Sequence, residues 1–102
     1  MHPSVEAALP QIRDLCRRLG VARLDLFGSA SGTVWESQPN DVDVLVEFGP
    51  LPPGERFDAY FTLKEGLERI LSTSVDVIVV SAVENPYLLA RVLAERESLY
   101  AA

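Results

Sequence analysis

DVDVLVEF, residues 41–48, is the stretch on which the fold turns. Val42, Val44, Val46 and Phe48 alternate with Asp41, Asp43, Leu45 and Glu47, which predicts a strand with an apolar face and a face that opens on two aspartates. Valine alternation suits a pleated, half-buried surface, whereas aspartate is disfavoured there. The two-residue spacing puts Asp41 and Asp43 on one face with Cα atoms roughly 6–7 Å apart.

Downstream, VDVIVV (residues 75–80) is a near-continuous apolar run interrupted by Asp76, expected to be a strand buried on both faces. Between the two strands, GPLPPGE breaks the chain and a helix is predicted over residues 56–71. Its expected buried stripe is Phe57, Tyr60, Phe61, Leu67, Ile70 and Leu71. A helix of that length is a crossover, so strands 41–48 and 75–80 should run parallel. Asn85-Pro86 opens a last helix, expected to reach about Tyr100 and to pack through Leu88, Leu89, Val92, Leu93 and Leu99.

Upstream, ARLDLFG (residues 22–28) reads as a short strand ending at Gly28, and SASGTVWESQPN as a loop. Before it, Val5, Leu9, Ile12, Leu15, Cys16 and Leu19 recur at helical spacing over residues 4–19, and Gly20 is a stop signal. Pro10 interrupts this helix, so regular structure is expected from there, with a looser lead-in. The order helix, strand, loop, strand, helix, strand, helix predicts one α/β (α+β) domain over residues 1–102, a small mixed sheet packed with helices.

Composition limits what this domain can be. The 102 residues are 48% apolar and 24% charged, an ordinary globular balance. Cys16 is the single cysteine and His2 the single histidine, so an internal disulfide and a Cys/His zinc site are both ruled out. Cys16 reads as a small buried hydrophobe. No apolar run approaches a membrane span, and the first residues carry no secretory pattern, so a cytoplasmic protein is expected. The net charge of −6 argues against binding nucleic acid through phosphates. Arg13, Arg17, Arg18, Arg69, Arg91 and Arg96 fall on predicted helices and read as solvated faces.

Three carboxylates then stand out. If strands 41–48 and 75–80 are parallel neighbours, Asp41, Asp43 and Asp76 gather at one edge of the sheet. Clustered carboxylates repel unless a cation lies between them, and an oxygen-only donor set suits Mg²⁺ or Mn²⁺. Two such ions about 4 Å apart form a clamp for in-line displacement at phosphorus. Gly28-Ser29 closes the first strand, where a glycine lets backbone approach a phosphate and Ser29 adds a hydroxyl and an N–H. This turn meets the aspartates only if the first two strands are antiparallel. Taken singly, a Gly-Ser is a turn, an Asp-x-Asp a solvated strand edge, and Asp76 an edge or capping residue. Order, spacing and context together make the signal.

At LFGS (26–29), NDVDVLVEF (40–48) and VDVIVV (75–80) the chain resembles the minimal nucleotidyltransferases of the DNA polymerase β superfamily. The resemblance implies that fold. It implies that Asp41 and Asp43 hold two Mg²⁺ ions, with Asp76 as a further ligand or as base, and that Gly28 and Ser29 hold ATP. It implies AMP transfer to a hydroxyl with loss of pyrophosphate. It also implies a partner, a helical HEPN-type toxin that is neutralised by adenylylation of a tyrosine or, alternatively, by binding alone. A chain of this size has little length for an acceptor-binding lobe, so a hetero-oligomer is expected. The family's Gly-Ser turn is usually followed by arginine, and GSASGT (28–33) has none. Either nucleotide binding is weaker, or another arginine takes the role. Trp35, in the same loop, is expected to serve packing or a partner contact, and Phe57, Tyr60 and Phe61 to be core or a helix face awaiting a partner.

Overall fold

The computed structural model describes residues 3–27 and 41–102. Helix α1 (Pro3–Leu19) leads to β1 (Val21–Phe27) and β2 (Asp41–Phe48). Then follow α2 (Pro53–Leu71), β3 (Ser74–Val79), a 3₁₀ turn (Val80–Ala82), α3 (Pro86–Glu95) and β4 (Glu97–Ala101). The four strands form one mixed sheet in the order β3-β2-β1-β4. As expected, β1 and β2 are antiparallel and β2 and β3 parallel.

The alternation of β2 sorts its side chains. Val42, Val44 and Val46 are fully buried and face α1 and α2 across a core shared with Val5, Ile12, Leu15, Cys16, Leu24, Leu26, Leu63, Leu67 and Leu99. Leu45, on the opposite face with the aspartates, is also buried. Gly20 ends α1 at φ +73°, a left-handed cap that costs glycine little. Helices α1 and α2 approach so closely at Gly66 that a Cβ there would lie 2.6 Å from Leu15 Cδ2.

The structure corrects five expectations. Helix α1 is regular from Pro3 and runs through Pro10. Proline forfeits one helical hydrogen bond, but Val5 and Ala8 are buried ahead of it and anchor the first turns. The stripe of α2 is Ala59, Leu63 and Leu67, whereas Phe57 and Phe61 are 68% and 45% exposed. Their rings stack edge to face at 5.0 Å on the outer side of the helix, and Tyr60 extends the group. The chain after α3 turns away at Arg96 and becomes β4, because Leu99 buries itself in the core only when ESLYA pairs with the open side of β1. Arg96 is consequently not on a helix. Strand β3 is an edge strand, with Val75 and Val77 buried and Ser74 and Asp76 exposed.

An edge strand carries backbone groups with no neighbouring strand. Along β3, α2 supplies the partners at successive turns. Tyr60 Oη donates to the Val77 carbonyl, Lys64 Nζ to the Val75 carbonyl at 2.7 Å, and the Glu68 carboxylate accepts the Val75 N–H. On the other edge, Arg13 Nε donates to the Leu99 carbonyl. Among the described residues, no helix is long and apolar enough to cross a membrane.

Candidate functional site

The register of the sheet brings the aspartates together. Asp43 on β2 lies directly opposite Asp76 on β3 and, on its other side, opposite Phe27, the last residue of β1. Asp41 lies opposite Ser74, one pleat earlier on the same face. Parallel neighbours in register place the Cα atoms of Asp43 and Asp76 about 5 Å apart with side chains on one face. Asp43 is half-buried and Asp76 exposed. The side chain of Asp41 is outside the described residues, as are Gly28, Ser29 and Trp35. Strand β1, which leads into Gly28, ends level with Asp43. Among the described side chains, the acids that meet here are therefore a pair, and no group of three metal-binding residues is formed.

A cleft lined by Asp43, Lys64, Ser74, Val75 and Asp76 opens at this point. Lys64 is the residue that sequence reasoning missed. As the only lysine, four positions before Glu68 on a helix, it carries the pattern of a surface ion pair. Nζ is 3.2 Å from Glu68 Oε2, and its bond to the Val75 carbonyl holds the ammonium beside the acids. Glu68 is held below the ordinary glutamate range, first by the Val75 N–H it accepts and then by Lys64.

One further charged group occupies this face of the sheet. Leu24 and Leu26 point into the core, so Asp25 points the other way, yet only 2% of it is exposed. Arg23 Nε donates to both its carboxylate oxygens, at 3.1 and 2.9 Å. Arg96 Nη1 stands 3.6 Å from Oδ2.

Comparison with known proteins gives the family and the fold. The nucleotidyltransferase domain family matches residues 9–99. A relative from Methanocaldococcus jannaschii, provisionally named a protein adenylyltransferase, is 28% identical over 78% of this chain and 86% of its own. A second, of the same provisional name and organism, is 38% identical over 67% of this chain and 66% of its own. A solved structure provisionally described as a minimal nucleotidyltransferase superposes with a TM-score of 0.73 at 29% identity, covering 90% of this chain and 89% of that one. A tri-AMPylated Shewanella oneidensis HEPN toxin in complex with its MNT antitoxin contains the same fold, with a TM-score of 0.64 at 21% identity over 96% of this chain and 73% of that one. The family match spans all four strands up to Leu99, and with it the row that holds Asp43 and Asp76, so the chain belongs to the nucleotidyltransferase domain family.

Proposed function

We propose that this protein is a cytoplasmic, metal-dependent adenylyltransferase that moves AMP from ATP onto a hydroxyl of a partner protein, a helical HEPN-type toxin, and so acts as its antitoxin. The observation that carries this reading is the direct opposition of Asp43 and Asp76 beside the strand that leads into Gly28-Ser29. The donor set fits Mg²⁺, which is commonly held by one or two carboxylates and completed by substrate phosphates. Asp43 and Asp76, with Asp41 on the same strand face, would hold it. The ion would neutralise charge on the phosphates and favour ionisation of the acceptor hydroxyl.

The chain's own residues then have separate tasks. Gly28 and Ser29 take the phosphate chain through backbone N–H groups and the Ser29 hydroxyl. Asp76, exposed at the rim of the cleft, receives the proton of the incoming hydroxyl. The hydroxyl oxygen bonds to the α-phosphorus, the bond from that phosphorus to the bridging oxygen breaks, and pyrophosphate leaves with the electron pair. A tyrosine is the proposed acceptor. The provisional names of the two relatives support transfer to a protein.

A second reading, neutralisation by binding alone, is favoured by one observation: GSASGT has no cationic side chain to grip phosphate. One experiment separates the two. The chain is incubated with its cognate toxin, Mg²⁺ and α-labelled ATP, in parallel with Asp43→Asn and Asp76→Asn. Mg²⁺-dependent label on the toxin that both variants lose is the expected result. Neutralisation by the wild type without any label would leave the binding reading standing and overturn the transferase.

A further inference from the structure

We propose that Arg96, drawn onto the site face of the sheet by the buried carboxylate of Asp25, binds the phosphate chain of the nucleotide. The proposal rests on the reading of the Asp43–Asp76 cleft as a nucleotide site and adds to it a residue that neither the sequence pattern nor the family match singles out.

The first observation is position. Glu97, the first residue of β4, pairs with Leu26 of β1. Antiparallel continuation puts Arg96 level with Phe27, and Phe27, Asp43 and Asp76 follow across the sheet in one row. Two strand spacings, about 10 Å, separate the Cα atoms of Arg96 and Asp43. The Arg96 guanidinium reaches Asp25, which faces away from the core, so it lies on the face that carries Asp43 and Asp76.

The second observation is charge. A buried carboxylate requires a partner, and Arg23 already provides one, with Nε bonded to both oxygens of Asp25. Arg96 is not needed for that purpose. Its 3.6 Å approach is an ion pair without a hydrogen bond, so its N–H donors are not spent on Asp25. Glu47 of β2 lies opposite Arg23 on this face, so Arg23 and Arg96 stand against the carboxylates of Asp25 and Glu47, in a protein whose net charge is −6. An incoming polyphosphate next to two aspartates needs a positive group from the protein, and the Arg96 guanidinium, not hydrogen-bonded to Asp25, offers one in a fork that matches phosphate oxygens. Aspartate is a poor strand residue, and its burial at position 25 is accounted for if it fixes where that fork points.

Calorimetric titration with ATP and Mg²⁺ tests this on the wild type, Arg96→Ala, Arg96→Lys and Arg17→Ala. Arg17 is exposed on α1 and paired with Asp14, so its variant removes the same charge far from the face in question. Loss of charge-assisted hydrogen bonds predicts an affinity about tenfold to a hundredfold weaker for Arg96→Ala. Arg96→Lys should fall between, and Arg17→Ala should stay within about twofold of wild type. Melting temperatures report the fold separately, and Asp25 retains Arg23 in both Arg96 variants. Wild-type affinity in a folded Arg96→Ala would overturn the proposal and leave the nucleotide site standing. Should Arg96→Ala not fold, wild-type affinity in Arg96→Lys would overturn it, since an ammonium cannot reproduce the fork. Absence of ATP binding by the wild type would overturn the site reading and this proposal together.

Discussion

Arg23 and Asp25 are joined by two hydrogen bonds, but they stand in very different surroundings, and the difference predicts an unequal response to mutation. Asp25 is 2% exposed, whereas the Arg23 side chain is 37% exposed and that of Arg96 30%. Removing Arg23 strands a buried carboxylate, which typically costs 3–5 kcal/mol. Arg96, already 3.6 Å away, can close on the abandoned oxygens and offset part of this, so Arg23→Ala should cost about 2–3 kcal/mol. Removing the acid strands nothing of that kind, because both guanidinium groups can turn to water. The amide oxygen introduced by Asp25→Asn would still accept one bond, so this change should cost only about 1 kcal/mol. Urea unfolding at neutral pH gives both values from the midpoint at constant slope. In thermal melts, Arg23→Ala should fall by roughly 10–20 °C and Asp25→Asn by roughly 4–8 °C. The double variant should be more stable than Arg23→Ala alone, since it no longer buries an unpaired charge. A loss from Asp25→Asn equal to or larger than that from Arg23→Ala would refute the argument.

Four other outcomes are expected. Leu63→Ala, at a fully buried position of α2, should lose about 2–5 kcal/mol in urea unfolding. Phe57→Ala on the same helix, 68% exposed, should change stability by no more than about 0.5 kcal/mol. Glu68 is held below its usual range by the Val75 N–H and by Lys64, so its contribution is present above the unfolded-state pKa and is lost as pH falls through the lower folded-state one. The stability gap between wild type and Glu68→Gln should therefore be widest near neutral pH and close in acid, as followed by urea midpoints across the acid range. Burial pushes the Cys16 thiol up to about 12, so Ellman's reagent should label it at pH 8 only after urea unfolds the chain.

Much of this was legible in residues close together in the chain. The alternation of 41–48 specified β2 and its two faces, because side chains on a strand alternate whatever the neighbouring strand is. The stop at Gly20, the start at Asn85-Pro86 and the breaker before α2 are equally local signals, and the structure has a helix boundary at each. The five residues of β4 were not legible in this way. Glu97–Ala101 continue the apolar spacing of α3, and only the vacant side of β1 makes a strand the better way to bury Leu99. The exposure of Phe57 and Phe61 was likewise settled by crossing geometry: the close approach of α1 and α2 at Gly66 sets which side of α2 faces inward, and Ala59, Leu63 and Leu67 lie on it. Of the candidate site, the sequence by itself determined the aspartates and their strands, since two-residue spacing sets the face. Tertiary structure alone decided that Asp43 stands opposite Asp76, that Lys64 lines the same cleft, and that Arg96 leaves its expected helix for Asp25. Those relations join residues 33, 21 and 71 positions apart, and strand register and helix docking act over distances that no local pattern encodes.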